Sequence, residues 1–343
     1  MKRPFLLTLL CVLLAFALPL LLYVPDRENE QEPEVQPAPA ADASPTPELP
    51  PPSPEPVLDS SISLRLQTED GVETVSMAEY LPLALAGEMP ASFAPDALKA
   101  QAVALRSYAL YYQAQPKAAH PEADVCTGAA CCAACADPEE LRERWGEQYD
   151  AYYEKICTAV RETDGQYLVW EERPALAVFH AASAGQTESG TALGMAQHYL
   201  ASVDTPETAE TVQNLCTDVE VTEEEFRRAV LSIAPEAELS GAPEGWLGST
   251  SLDTAGRVTS MEIGGAALSG LALRQLFTLR STDFTVERTE SGSFVFHVRG
   301  YGHGLGMSQQ GANLMAKDGA DYASILRHYY PGTELVMALR SGG

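Results

Sequence analysis

Basic residues are scarce in this chain: 22 lysines and arginines stand against 48 aspartates and glutamates, a formal charge of -26. A nucleic-acid surface needs a basic footprint, so this balance argues against nucleic acid as a partner. Much of the acid falls in residues 26–56 and 207–225, which leaves room for a locally cationic cleft elsewhere. The one glycine-rich stretch, residues 300–306, has neither a P-loop lysine nor the Rossmann spacing, and a nucleotide site is excluded on that ground. No GxSxG pattern surrounds Ser183, so a hydrolase assembled from Ser183, His303 and Asp283 has no nucleophile elbow to start from. There is no internal repeat, and Cys11 has no persuasive lipobox.

One long apolar run is present. Residues 4–24 carry no charge and follow Lys2 and Arg3; as a helix they would span about 31 Å, enough for a bilayer core. No clear small-x-small cleavage site follows, so the run is expected to stay as a single-pass anchor rather than be removed as a signal peptide. The positive-inside rule keeps Lys2 and Arg3 in the cytoplasm and places everything after the run outside it, on the cell membrane. Residues 25–57 are rich in proline, glutamate and alanine, too poor in apolar surface to fold, and read as a semi-rigid linker.

From residue 58 to 340 the pattern is that of a globular α+β unit with room for two lobes. Helices are expected near 95–113, 138–163, 222–234, 268–279 and 308–317. Strands are expected near 61–67, 166–170, 175–181, 257–264 and 293–299. Residues 118–137 form a cysteine- and histidine-bearing loop inserted in this unit.

Residues 80–112 carry the sharpest local signal. Ser76 with Glu79 reads as a capping box opening a short helix, in which Pro82 either begins a second turn or kinks the first. Gly87 and Met89-Pro90 end it around Glu88, an acid set among alanines and leucines. Burial there would raise its pKa and keep it protonated near neutrality, as a general acid requires. The plainer alternative is a carboxylate that caps the 93–96 amides or pairs with Lys99 or Arg106. In the following helix Leu98, Ala102, Leu105, Ala109 and Tyr112 form a core stripe. Lys99 and Arg106 lie a quarter turn away and are expected to border a cleft. Gln101 and Tyr108 are weaker site candidates that sit nearer the core face.

His120, Cys126, Cys131, Cys132 and Cys135 fall within sixteen residues. Thiolates and an imidazole at such separations can close a tetrahedral zinc site, and four of these five suffice. Outside the cytoplasm, disulfides such as Cys126–Cys135, with Cys157–Cys216 as another pair, are the competing reading.

Farther on, residues 294–299 alternate like a strand, the glycines after them allow sharp turns, and Ser308 can cap a helix to about Lys317. His303 is either satisfied within this turn or holds a ligand. The sequences AGEMP (86–90) and ALKAQAVALRSYA (97–109), then GYGHGLGMSQQGA (300–312) and ILRHYYPGT (325–333), resemble in order the signatures of the stage II sporulation protein D family. AVFHAASAGQT (177–187) is similar to that family's strand and serine-glycine-threonine loop, though Ala184 and Gln186 stand where serine and glycine are commoner.

The resemblance spans most of residues 60–338. It implies a lytic transglycosylase that cuts peptidoglycan glycan strands, with Glu88 as the single acid and base and two lobes around a glycan cleft. Lys99 and Arg106 would position the sugar or hold Glu88, and Ser183, Thr187 and His303 would contact glycan. Some family members carry a metal in the inserted loop; the corresponding set here is His120, Cys126, Cys131 and Cys132, with a structural zinc ion and no cofactor needed for the chemistry. Forespore engulfment would be the setting, with an amidase and other membrane-bound engulfment proteins as partners. Proteins with this domain are also described as amidase enhancers, which makes a non-catalytic wall-binding module the alternative. A third reading is a tethered scaffold in which Glu88 only ends a helix.

Overall fold

Apolar residues at spacings of three and four draw Pro95–Ala114 into the helix around which the larger core is assembled. In the computed structural model residues 56–338 are described, and they belong to one compact unit, Ser53–Gly343. The expected anchor at 4–24, Cys11 and nearly all of the 25–57 linker lie outside the described residues. Among the described residues no helix is long and apolar enough to cross a membrane.

The chain begins with a hairpin, β1 (Ser63–Thr68) and β2 (Gly71–Ser76), and enters α1 (Met77–Glu88) through Ser76. The capping box is made: the Glu79 amide donates to Ser76 Oγ at 3.2 Å and the Ser76 amide to Glu79 Oε2 at 2.8 Å. The helix runs through Pro82 to Glu88, and α2 (Pro95–Ala114) follows with proline in its first turn. A short strand, β3 (Val125–Cys126), lies parallel to β1 and fixes one end of the cysteine loop. The expected helix over 138–163 is broken into α3 (Pro138–Trp145) and α4 (Tyr149–Glu162), because Gly146 turns to a φ of 51° between them.

Strand β4 (Gln166–Trp170) pairs with β5 (Arg173–Pro174), and β6 (Phe179–His180) is all of the expected 175–181 strand that forms a ladder. A second body of sequence then builds its own core: β7 (Cys216–Val221), α5 (Glu223–Ile233), the sheet of β8 (Leu247–Leu252), β9 (Val258–Ile263) and β10 (Ala266–Ser269), α6 (Gly270–Leu276), and the hairpin β11 (Phe284–Arg288) with β12 (Phe294–Arg299). Phe226 of α5 is fully buried and stacks on Phe294 with ring centroids 4.0 Å apart. The chain returns to the first core through β13 (Met307–Ser308), α7 (Gln309–Lys317), α8 (Tyr322–Tyr329) and β14 (Glu334–Met337), the last pairing with β4. The architecture is mixed α+β with two large hydrophobic cores and a small third cluster among the described residues.

Strands β2, β7, β8, β11 and β14 and helix α8 go beyond the sequence reading. The strands are half-exposed edges of their sheets with few buried side chains, as in the CTDVEV of β7. The expected helix over 268–279 starts later because Ser269 ends strand β10 and caps α6.

Candidate functional site

The pairing of β6 with β13 sets Ser308 opposite His180 and Met307 opposite Phe179, joining two motifs more than a hundred residues apart. Between them the glycine-rich turn uses φ values of 74°, 111°, 84° and 66° at Gly300, Gly302, Gly304 and Gly306. A Cβ at Gly302 would stand 2.7 Å from His180 Cβ, so both backbone conformation and close approach demand glycine there. This turn, the end of α1 and the cysteine loop enclose a cavity of about 560 Å3.

Glu88 enters the cavity from the last residue of α1. The cysteine loop packs directly on that helix end: the Ala136 amide donates to Leu83 O at 3.0 Å and the Ala134 amide donates to Glu88 Oε1. Gly87 makes this possible, since a Cβ would lie 2.6 Å from Ala134 O. Desolvation by burial pushes the Glu88 carboxyl above its usual range. The Ala134 amide and the Gln309 side chain act in the opposite sense. Gln309 Nε2 is buried and has no hydrogen-bond partner apart from this approach to Glu88. Among the described residues that line the cavity, Glu88 is the only carboxylate.

His180 forms the opposite wall. Its Nδ1 lies 3.1 Å from Leu305 O and must donate, so Nε2 accepts from Ser183 Oγ at 2.6 Å. Burial, then the neighbouring His303 and Arg257, hold this imidazole well below its ordinary pKa and therefore neutral. Behind it the Glu207 carboxylate accepts from the Ser183 amide at 3.1 Å and from Ser308 Oγ. His303 also lines the cavity, with its ring centroid 5.9 Å from that of His180. Its ring reaches solvent at the mouth, yet the crowded wall desolvates it and Arg274 and Arg257 add to the effect, so it too is held neutral.

Several expected contacts are elsewhere. Arg106 does not border the cleft: its side chain is 0% exposed, paired with Asp59 at 2.6 Å and donating to Gln166 O at 2.7 Å. The periodicity placed it beside the stripe correctly, but neighbours cover α2 on that side too. Lys99 pairs with Glu162 at the end of α4, which raises its pKa, and lies outside the cavity. Ser183 and Thr187 are completely buried; Ser183 serves His180, and Thr187 Oγ1 accepts from the Val203 amide at 2.9 Å and donates to Ala201 O. Both hold the loop rather than face the cavity. Gln101 is buried, while Tyr108 lines the cavity and accepts from Lys117 Nζ at 2.7 Å. The Ser183–His303–Asp283 set is not assembled: Ser183 bonds His180, and Asp283 bonds Arg299 at 2.9 Å.

His120, Cys126, Cys131 and Cys132 do come together, with one donor atom of each within 4.8 Å of the others. His120 Nδ1 contacts Ala123 O at 3.1 Å, which turns Nε2 toward the sulfurs, 3.2 Å from Cys132 Sγ. An imidazole oriented by a backbone carbonyl and facing three thiols is the donor set of a structural zinc site. Lys117 donates to Cys131 O beside it, a cation suited to balance three thiolates. Cys135 stands apart from this cluster, its thiol raised to about 11 by burial, and the six described cysteines are free thiols. His180, Gln309 and Lys117 were not singled out in the sequence; His180 and Gln309 lie inside recognised motifs, but only the β6–β13 pairing shows that they face Glu88.

A lone half-buried acid facing neutral histidines, beside a loop where one histidine and three cysteines cluster, is a site of distinctive composition, and it agrees with the sequence comparisons. A family model described as Stage II sporulation protein matches residues 66–170. Stage II sporulation protein D of Bacillus subtilis (strain 168) is 32% identical over 332 residues, covering 96% of this chain and 94% of that protein. The Bacillus amyloliquefaciens protein of the same description is 32% identical over 278 residues, 80% of this chain and 78% of its own length. An amidase enhancer of B. subtilis is 48% identical over 56 residues, 16% of this chain and 8% of that protein. The chain belongs to the stage II sporulation protein D family.

Proposed function

We propose that this protein is a membrane-anchored lytic transglycosylase of peptidoglycan with Glu88 as its general acid and base. The observation that carries the reading is the solitary carboxyl: hydrolytic glycosidases ordinarily use two, one as acid and one as nucleophile or base, and the described residues around the cavity offer only Glu88. Its upward-shifted pKa, caused by burial, favours the protonated form that a general acid uses. Protonated Glu88 delivers that proton to the oxygen between N-acetylmuramic acid and N-acetylglucosamine as the C1–O bond breaks. The resulting carboxylate, supported by the Ala134 amide, then removes the proton of the muramic C6 hydroxyl. The C6 oxygen bonds to C1, giving a 1,6-anhydro end with no water consumed and Glu88 protonated again. His180 and His303, both neutral, wall the site without repelling the positive charge that develops at C1, and the more exposed His303 can present its ring face to sugar.

His120, Cys126, Cys131 and Cys132 are the residues that would hold a zinc ion, which would cross-link a polar loop with little core of its own and supply no step of the reaction. The descriptions of the Bacillus relatives support a setting in sporulation, and forespore engulfment beside an amidase and other membrane-bound proteins fits an extracytoplasmic enzyme tethered through residues 4–24.

Mass spectrometry of products from glycan strands, intact and stripped of stem peptides, tests the proposal. Wild-type protein is expected to release 1,6-anhydro-muramic ends and Glu88→Gln none, with both folded. Reducing ends would indicate a hydrolase with another base. The match to an amidase enhancer favours a second reading, a wall-binding module that stimulates a separate amidase. Binding without cleavage, together with stimulation of an added amidase, would replace the first reading with the second.

A further inference from the structure

Glu88 also lines a second cavity, of about 370 Å3, that shares no other residue with the first. Its walls are the turn after α1, including Met89 and Pro90, and the end of α3 and start of α4, which bring Arg144, Trp145 and Tyr152. The Trp145 and Tyr152 rings meet edge to face, centroids 5.7 Å apart at 84°, and both are half-exposed. Arg144 is exposed and makes no ion pair or hydrogen bond among the described residues.

Near the first cavity Lys117 is engaged with Tyr108 and Cys131 O, Arg280 with Asn214 O and the face of Tyr301, and Arg274 with Leu279 O, while Arg257 is buried and pairs with Glu188 at 3.8 Å. We infer that the second cavity is the subsite for the muramic acid unit, with Trp145 and Tyr152 as its apolar platform and Arg144 binding its lactyl carboxylate. The inference rests on the transglycosylase reading, in which a strand must pass Glu88 with one sugar on each side. The two sugars of the cleaved bond differ in that only muramic acid carries a lactyl group. Its carboxylate, free once the stem peptide has been removed, is matched by a planar, uncommitted donor pair, and an arginine fork supplies one. Aromatic edges and faces suit the C–H surfaces of a pyranose ring. The first cavity, walled by neutral imidazoles and the Gln309 amide, then takes the uncharged N-acetylglucosamine.

The test is calorimetric titration of the purified full chain carrying Glu88→Gln, so that nothing is cut. Its ligands are a peptide-free tetrasaccharide alternating N-acetylglucosamine and N-acetylmuramic acid, chitotetraose of equal length, and a free stem peptide as a carboxylate source without sugar. Arg144→Ala is expected to weaken the muramic tetrasaccharide about tenfold, as loss of a charge-assisted pair does, and chitotetraose less than about twofold. Arg144→Lys should restore part of the difference. Trp145→Phe should weaken both sugars mildly, and the peptide should neither bind nor compete. Equal losses for both sugars, or none, would overturn the assignment, as would competition by the peptide. Product analysis of Arg144→Ala with Glu88 intact separates the two readings. Anhydro products at unchanged kcat/KM would remove the subsite alone, whereas Arg144-dependent muramic binding by a wild-type protein that never cuts would leave the subsite and remove the chemistry.

Discussion

The backbone amide of Ala134 donates to the carboxylate of Glu88, although 46 residues separate them. Helix α1 and the cysteine loop therefore pack as one piece: the loop that gathers His120, Cys126, Cys131 and Cys132 also bonds the acid.

Gly87→Ala probes that contact. The added Cβ would stand 2.6 Å from Ala134 O, a backbone atom that cannot swing aside, so loop or helix must shift. A stability loss of about 1–3 kcal/mol is expected. Cleavage should fall further than stability alone explains, because the Ala134 amide leaves Glu88. Urea midpoints and kcat measured together check this; unchanged kcat would mean that the contact does not matter to the chemistry.

Arg106 gives the opposite kind of result. It is fully buried on Asp59, and Arg106→Ala leaves that carboxylate buried without its partner. The expected cost is about 3–5 kcal/mol of stability. Glycan affinity per folded molecule should be unchanged. A stable Arg106→Ala protein with a raised KM would return this residue to the substrate.

Metal content is checked by elemental analysis of purified protein. About one zinc per chain is expected, lost in Cys132→Ser and on prolonged chelation. Removal should lower Tm and increase amide exchange across residues 120–134 more than in the Phe226 core. Retained exchange protection after complete metal removal would make the cluster a set of packed thiols instead.

Glu188 supplies a pH dependence at the glycine-rich turn to which its amide donates. Its side chain is 4% exposed, and burial together with a hydrogen bond that its protonated carboxyl donates to Asp253 raises its pKa to about 7. A carboxyl whose folded pKa lies above its unfolded value of about 4.5 holds its proton more tightly when folded. Its contribution is fully present below pH about 4.5 and is lost as pH rises through about 7. Wild-type stability should therefore show a declining component over that interval, and Glu188→Gln should flatten it. Denaturant midpoints measured from acid to mildly alkaline pH give the slope; an equal slope in both proteins would rule out Glu188 as its source.

The capping box at Ser76, the α2 stripe and the strand over 294–299 were legible because each is local: a side chain and a backbone amide three residues apart, or a repeating apolar face. His120, Cys126, Cys131 and Cys132 were legible for a related reason, since short chain separations limit how far their donor atoms can spread. Arg106 and Lys99 show the limit of such reasoning. Their spacing gave the helix face, but which neighbour covers a face is set by chain folded from elsewhere, here Asp59 and Glu162.

The sequence by itself determined the acidic character, the local elements and the residue types available for chemistry, because those follow from composition and from interactions within a few residues. Only the tertiary structure decided that Ser183 and Thr187 serve the framework, that His180 and Gln309 face Glu88, and that Arg144 stands free beside it. Those outcomes depend on strand pairings and loop contacts across tens to hundreds of residues, where burial and desolvation, rather than spacing, assign each side chain its partner.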